Sequence, residues 1–290
     1  YCLQRLGGYS LNNDFMLSAD HQLGDFNIDG FIGGTVYYWK SDNIMGETQN
    51  GLTIPGYYSL KGSIDNVKTT SGVTKKLVNS LYGKVSASWK STVFVDITGR
   101  NDWSSTLPKE TRSYFYPSVA GSVVLSQFIP MPEVFDFWKV RGSWTQTKSD
   151  LSVYETNNAF SISNNLFNGS SAAYYPTSIR GVSVLPSATR SYELGTAVNL
   201  FKNRLKVDFT YYNKLYYNLT RQAGISEASG FGSTLINIDE EQLRKGFEIT
   251  LSGDIIRTKD WNWNSMFNWS RDRYYYSQVD PVYSTQKPWV

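Results

Sequence analysis

Apolar and polar residues alternate with a period of two along most of this chain. The clearest run covers residues 247–255, where Phe247, Ile249 and Leu251 share one face and Glu248 occupies the other. Strict alternation is typical of a β-strand with one apolar and one polar face. Similar runs suggest about ten strands, each long enough for the ~9–11 residues of a tilted membrane-crossing strand and longer than the ~5–6 of an average globular strand. The sequence therefore predicts an all-β fold.

The connections between these runs alternate between short and long. Short turns are predicted near residues 24, 90, 202 and 258, with a moderate link at 130–136. The other connections are long and cover residues 40–76, 102–113, 148–190 and 218–245. Outer-membrane barrels have short periplasmic turns and long extracellular loops. We therefore expect an antiparallel up-and-down transmembrane β-barrel. The alternative is a soluble sandwich, which has no reason to keep its long loops at one end.

The composition fits such a barrel and excludes several other classes of protein. Aromatic residues make up 16% of the chain, and indole and phenol rings favour the membrane–water interface. No stretch approaches the ~20 apolar residues of a membrane-spanning helix. A net charge of +3 gives no electrostatic reason to bind nucleic acid. Six tryptophans lie at or near predicted strand ends: Trp39, Trp89, Trp138, Trp144, Trp261 and Trp263.

No motif in the sequence predicts catalysis, a metal site or a cofactor. The chain has one histidine and one cysteine, which excludes a histidine-rich metal centre and a disulfide framework. His21 falls on the apolar face of its strand, so we expect a packed or interfacial imidazole. The scattered carboxylates fall on the polar strand faces among basic residues, which favours a hydrated lumen wall over a glycosidase pair. The acidic run at 239–241 is expected to be a solvated loop, with calcium binding as the weaker alternative.

Aromatic residues in the predicted long loops are the candidates for ligand binding. Flat rings stack on sugar rings, and neighbouring polar groups bind hydroxyl or peptide groups, which suits capture of a glycan or a peptide. The alternative is that these rings pack the loops onto one another or onto a partner. The candidates are Tyr57, Tyr58, Trp103, Tyr174, Tyr175 and Phe231.

Several ordered segments resemble a known family. The segment Gly-Arg-Asn-Asp-Trp-Ser-Ser-Thr-Leu-Pro at 99–108 and the aromatic-proline segment at 113–119 resemble hallmarks of the SusC/RagA family of TonB-dependent outer-membrane transporters of Bacteroidetes. Further matches lie at 139–144, 191–195, 203–212, 229–231 and 245–248, so the resemblance runs from about Leu11 to Arg273. Its motif residues, expected to be structural, are Arg100, Asn101, Asp102, Trp103, Tyr116, Pro117, Glu193, Gly195, Gly246 and Glu248. The chain departs from the family pattern at 186–189 and 236–239, which would alter loop contacts.

The resemblance implies a fold and a function for a longer protein. Such transporters have a barrel of about 22 strands that encloses a plug, so residues 1–290 are expected to be part of the barrel domain, without the plug and the N-terminal extension. The implied function is import of glycan oligosaccharides or oligopeptides across the outer membrane, without covalent chemistry. The implied partners are a SusD-like surface lipoprotein as a lid, the TonB complex acting through the plug, outer-membrane lipid, and a second transporter–lid pair in a dimer. The alternatives are a passive structural or adhesin-type barrel and, less favoured, a soluble carbohydrate-binding or hydrolysing β-protein.

Overall fold

The computed structural model describes residues 1–163, 168, 170–180 and 183–283. Ten of its strands form one sheet: β1 (Cys2–Leu23), β2 (Phe26–Leu52), β3 (Ser63–Trp89), β4 (Val93–Ser104), β5 (Ser113–Val124), β6 (Phe135–Ser149), β10 (Ser187–Leu200), β11 (Leu205–Tyr217), β14 (Glu241–Arg257) and β15 (Asn262–Gln278). Five shorter strands lie in the connections: β7 (Ser161–Ile162), β8 (Ala173–Tyr174), β9 (Ser178–Ile179), β12 (Thr220–Gly224) and β13 (Ser233–Asn237). The helices described are 3-10 turns at Leu60–Gly62, Leu125–Gln127 and Glu227–Ser229. None of the helices in this described part is long and apolar enough to span a membrane.

The main sheet is an up-and-down meander. Its strands follow chain order from β1 to β15, and every neighbouring pair is antiparallel. Among the described residues the sheet stays open, with β1 and β15 at its edges, as expected for part of a larger barrel. The connections 53–62, 105–112, 150–186 and 218–240 all lie at one end, here called the loop end. The short connections lie at the other, the turn end. The predicted all-β, antiparallel meander is confirmed.

The register separates an apolar face from a polar face, because residues paired across neighbouring strands share a face. One row of the apolar face consists of Leu23, Phe26, Trp89, Val93, Val123, Val140, Thr196, Phe209, Ile249 and Trp269. A row of the polar face consists of Asp20, Asp29, Ser86, Asp96, Ala120, Ser143, Glu193, Tyr212, Gly246 and Asp272. Rings of the apolar row remain open to the surroundings, with Phe26 48% and Trp269 47% exposed. A single sheet with an exposed apolar face is suited to contact lipid.

Thr196 is the one hydroxyl in that apolar row, and its hydrogen bonds are satisfied by its neighbours. Trp138 Nε1 donates to Thr196 Oγ1 at 2.9 Å, and Thr196 Oγ1 donates to the Lys139 carbonyl at 3.1 Å. An unpaired hydroxyl in an apolar medium costs several kcal/mol. The local bonds therefore allow a polar residue to face lipid.

The prediction of a long irregular connection over residues 40–76 is wrong. β2 continues to Leu52 and β3 begins at Ser63, so the connection is 53–62 and Trp39 lies inside a strand. Most side chains beyond Trp39 are polar on both faces, which weakens the apolar contrast while the backbone pairing continues. The connections predicted at 148–190 and 218–245 are also partly ordered. Within them, β9 pairs in parallel with β13, and β12 pairs with β13 in an antiparallel hairpin.

Candidate functional site

The connections at the loop end pack together into a layer with its own small core. Leu107 of the β4–β5 connection contacts a cluster with Tyr114, Leu151, Val184 and Leu235, which come from β5, the β6–β10 connection and β13. Val184 is 1% exposed and Leu235 is 3% exposed. A one-layered sheet has no second layer to pack against. The main buried apolar cluster of the described chain is therefore found among the loops.

Polar side chains bond this layer to the sheet and bond its loops to one another. Lys76 of β3 forms an ion pair with Asp150 at 2.8 Å. Thr111 Oγ1 donates to the Val184 carbonyl at 2.7 Å. The Asn237 side chain accepts from the Leu185 N–H at 2.7 Å and donates to the Leu185 carbonyl at 3.0 Å. Because backbone groups of the loops are bonded in this way, the layer is held in one arrangement.

An apolar pocket of about 280 Å³ opens in this layer, and we call it the aromatic cradle. Tyr175 lies edge-on to Phe160, with ring centroids 5.0 Å apart, and to Phe231 at 6.3 Å. Tyr175 is 72% exposed and so reaches the solvent. At the rim, Asn158 Oδ1 accepts from the Arg180 N–H at 2.9 Å, and its amide also donates to the Arg180 carbonyl. The lining consists of Asn158, Ala159, Phe160, Tyr175, Pro176, Ile179 and Phe231.

The structure brings together two of the six aromatic residues predicted for ligand binding, Tyr175 and Phe231. Phe160 was missed, although it is a loop aromatic of the same kind. Tyr174 belongs to β8, where its hydroxyl donates to Ser163 Oγ at 3.4 Å. The expectation that Trp103 lies in a long loop is wrong. β4 continues to Ser104, and Trp103 pairs with Ser113.

Tyr57 and Tyr58 lie apart from the cradle, on the connection beyond the ends of β2 and β3. The Tyr58 ring lies 6.2 Å from the Tyr1 ring. Tyr57 is 55% exposed and Tyr58 is 72% exposed. The register pairs Trp39 of β2 with Lys76 of β3, and Lys76 forms the ion pair with Asp150 of the loop layer. Beyond Trp39, β2 continues to Leu52. These 52 − 39 = 13 residues correspond to about 40 Å along the strand. The two tyrosines therefore belong to a separate surface.

The hallmark segment builds a bonded cluster on the polar face. Arg100 Nε donates to Asp102 Oδ1 at 2.8 Å, and the Tyr116 hydroxyl donates to Asp102 Oδ2 at 2.7 Å. Arg100 also donates to Ser80 Oγ at 3.0 Å and lies over the Tyr82 ring. Asp102 is 6% exposed, so its charge is stabilised by these donors. The motif thus links β3, β4 and β5 below the loop core.

The remaining residues of that motif lie on the opposite face of the same strands. Asn101 Nδ2 donates to Ser113 Oγ at 3.1 Å. Pro117 of β5 pairs with Gly99 of β4. Because Asn101 and Trp103 alternate with Arg100 and Asp102, one short segment serves both faces of the sheet.

Gly195 allows an ion pair to cross over a strand. Arg141 of β6 reaches across β10 to Asp208 of β11, with its two terminal nitrogens 2.9 and 2.7 Å from the carboxylate oxygens. It also donates to Thr210 Oγ1 at 2.7 Å. A Cβ on Gly195 would lie 2.7 Å from Arg141 Nε. The neighbouring Glu193 has Lys214 Nζ 3.7 Å from its carboxylate.

Gly246 has a similar role on β14. A Cβ there would lie 2.4 Å from the Arg271 carbonyl oxygen and 2.8 Å from the Tyr212 hydroxyl. Glycine therefore allows the Tyr212 side chain to lie across the strand. Glu248, two residues on, is exposed on the polar face between Thr210 and Ser270.

The expectation of a solvated acidic loop at 239–241 is wrong for its central residue. Glu240 is 1% exposed. Arg221 Nη1 lies 3.8 Å from Glu240 Oε2, and Gln242 Nε2 donates to Oε1 at 3.1 Å. The β12–β13 hairpin brings Arg221 back beside this carboxylate, a contact that no local pattern reveals. Among the described residues, no group of three or more His, Cys, Asp or Glu side chains could hold a metal ion.

Asp280 fixes the chain just after β15. Its carboxylate accepts backbone N–H bonds from Tyr283 at 2.8 Å, Asp239 at 2.8 Å and Val282 at 2.9 Å. These donors, with that of Tyr283 foremost, hold the pKa of Asp280 below its usual value. The carboxylate therefore joins the end of the last described strand to the β11–β14 connection.

Comparison with known proteins identifies the family. The family described as TonB dependent receptor-like, beta-barrel matches residues 4–288. TonB-dependent receptor P3 of Formosa agariphila is 28% identical over 225 residues, which cover 75% of this chain and 22% of that protein. TonB-dependent receptor P26 of the same organism is 24% identical over 262 residues, which cover 88% of this chain and 26% of that protein. The chain thus spans about a quarter of the length of these relatives.

Solved structures have the same fold. The structure of the RagAB peptide transporter superposes with a TM-score of 0.81 at 17% identity, covering 96% of this chain and 32% of that one. The FpvAI–pyocin S2 complex gives a TM-score of 0.54 at 13% identity, covering 93% and 34%. The family match favours an outer-membrane barrel over the soluble alternatives, and the apolar face of the sheet is its lipid-facing surface. The chain belongs to the TonB-dependent receptor-like β-barrel family.

Proposed function

We propose that this chain is part of the barrel wall of an active importer that takes up oligopeptides across the outer membrane. The observation that carries the proposal is the aromatic cradle, fixed in a packed loop layer above a wall that is apolar outside and polar inside. Transport of this kind requires the loops to bind cargo and the polar face to line its path, without covalent chemistry by these residues.

The chemistry of the cradle favours a peptide over a glycan. Its described lining is mostly apolar, and the Asn158 side chain already bonds the Arg180 backbone through both its oxygen and its nitrogen. A sugar ring needs free polar partners for its hydroxyls, whereas an apolar peptide side chain needs a desolvated pocket. The fold shared with a peptide transporter supports the same direction.

We further propose the partners of the complete protein. A SusD-like lipoprotein closes over the loop end, and two such pairs associate as a dimer. The TonB complex supplies energy through a plug in another part of the protein. The packed loop layer supports the proposal of a lid, because a fixed surface binds a partner without first having to be ordered.

The proposal is tested with the full-length protein in native outer membranes. Detergent purification followed by mass spectrometry should yield a co-purifying lipoprotein. Uptake of a fluorescent peptide with apolar side chains should stop when the proton gradient is dissipated. Uptake that continues without the gradient would favour the second candidate, a passive barrel. Purification without a lipoprotein would contradict the proposed lid.

The cradle is tested separately by peptide binding. Tyr175→Ala and Phe231→Ala should each weaken binding roughly ten-fold, since each removes about 1–2 kcal/mol of aromatic contact. Tyr58→Ala removes an equally exposed tyrosine outside the cradle and is the matched control. Equal losses of affinity in all three variants would contradict the assignment of the cradle as the binding site. Preferential binding of an oligosaccharide would show that the cargo is a glycan and not a peptide.

A further inference from the structure

Three basic side chains lie together on the lipid-facing surface of β14 and β15. The register places Lys245 directly opposite Arg273 and places Phe247 opposite Arg271. The three cations therefore occupy two successive rows of one face. Like charges directly opposite on neighbouring strands repel each other. A counter-charge beside these cations relieves that repulsion.

The described part of the chain supplies no such counter-charge. None of its ion pairs involves any of the three side chains. On that face of β14 the next carboxylate is Glu241, 245 − 241 = 4 positions and about 13 Å further along the strand. The polar face of the same two strands is different, because there Arg244 Nε donates to Asp272 Oδ2 at 2.8 Å.

The depth of the patch in the membrane follows from the strand geometry. Trp263 marks the turn-end margin of the lipid-facing surface of β15, and Arg273 lies 273 − 263 = 10 residues further along. Ten residues rise about 34 Å along a strand, or about 25 Å along the membrane normal at a tilt of ~40°. The apolar band of an outer-membrane barrel is about 25 Å tall. Arg273 and Lys245 therefore lie at the loop-end margin of the band, at the level of the lipid head groups.

Aromatic residues lie in the same register row on neighbouring strands. The row of Lys245 and Arg273 continues through Asn213 and Tyr192 to Trp144. Amphipathic rings favour the interface. The Lys245 ammonium also lies 5.4 Å from the Tyr275 ring centroid.

We propose that Lys245, Arg271 and Arg273 bind phosphate groups of anionic lipid in the outer leaflet. Guanidinium groups bind phosphate oxygens bidentately, and an ammonium adds a point charge. A bound phosphate relieves the repulsion between the cations. The site is on the outside of the barrel and does not depend on the identity of the cargo.

The test compares the full-length wild type with the triple variant K245Q/R271Q/R273Q. The matched control, K90Q/K202Q/K259Q, removes the same charge from exposed lysines of the turn end. Each protein is delipidated in neutral detergent and titrated with anionic phosphate-bearing lipid, with zwitterionic lipid or with inorganic phosphate. Lipid binding is counted by native mass spectrometry, and Tm is measured in parallel.

Anionic lipid should bind the wild type and the control equally, and it should bind the triple variant about 100-fold more weakly, since each cation contributes about a factor of five near a lipid surface. It should raise the Tm of the wild type and the control but not that of the triple variant. Equal lipid binding by all three proteins would refute the proposal. So would a triple variant destabilised equally with and without lipid, since a protein carboxylate would then be the counter-charge. Saturation by inorganic phosphate as readily as by lipid would identify a free anion as the ligand and overturn the lipid assignment.

Discussion

Replacing Asp102 by alanine should destabilise the barrel more than the loss of an ordinary ion pair does. The carboxylate accepts from Arg100 at 2.8 Å and from Tyr116 at 2.7 Å, and it is 6% exposed. A hydrogen bond to a charged group contributes about 1.5–3 kcal/mol. The Arg100 side chain is 42% exposed and can be hydrated after the change, so its bond belongs at the low end of that range. The expected loss is about 3 kcal/mol, or roughly 100-fold in the unfolding equilibrium.

The assay is urea unfolding of the full-length protein in lipid vesicles, followed by tryptophan fluorescence and by heat-modifiable electrophoretic mobility. Asp25→Ala is the matched control, because Asp25 pairs with Lys90 at 3.4 Å and its side chain is 62% exposed. That change should cost less than about 0.5 kcal/mol. Asp102→Asn should fall between the two, since the amide oxygen keeps one acceptor. If Asp102→Ala and Asp25→Ala unfold at the same urea concentration, the bonded cluster around Asp102 does not stabilise the wall.

Three further changes test other parts of the wall. Gly195→Val should displace Arg141 from Asp208 and cost about 1 kcal/mol, a loss that should disappear in a background already carrying Asp208→Asn if the bridge is the cause. Gly246→Ala should cost about 2 kcal/mol, because its methyl group meets a backbone carbonyl 2.4 Å away, and a Tm unchanged from wild type would contradict this. Asp280 has a lowered pKa, so its stabilisation is complete above the unfolded value of 3.8 and is lost as the pH falls through its folded pKa. Asp280→Asn should flatten the acid side of the stability–pH curve, and a curve of unchanged slope would refute that assignment.

The sequence predicted the hairpins and the two faces because both depend on local signals. A period of two assigns every residue of 247–255 to a face, and turn residues mark where each strand ends. The strand ends beyond residue 40 were not predictable in this way. Where both faces of a strand meet water, most residues on both faces are polar. The sequence pattern of such a strand then resembles that of a loop.

The candidate site was predicted in part. Loop aromatics identified Tyr175 and Phe231, but their partner Phe160 is 71 positions from Phe231 (231 − 160). The bonds of Asp102 to Tyr116, of Asp208 to Arg141 and of Glu240 to Arg221 are likewise set by the register of strands or by the return of a hairpin. Such contacts join residues distant in sequence, and no single-strand pattern encodes them.

The length of the β2–β3 hairpin carries its tip away from the ion pair that binds the loop layer to the sheet. Its strands continue for about 40 Å along their length beyond Lys76, which binds Asp150, or about 30 Å along the membrane normal at a tilt of ~40°. Its tip at 53–59 carries the exposed Ile54, Tyr57 and Tyr58. The tip is therefore a surface apart from the cradle that a macromolecule arriving from outside the cell can touch. An epitope inserted at Pro55–Gly56 should be accessible to antibody on intact cells even when the mouth of the barrel is covered.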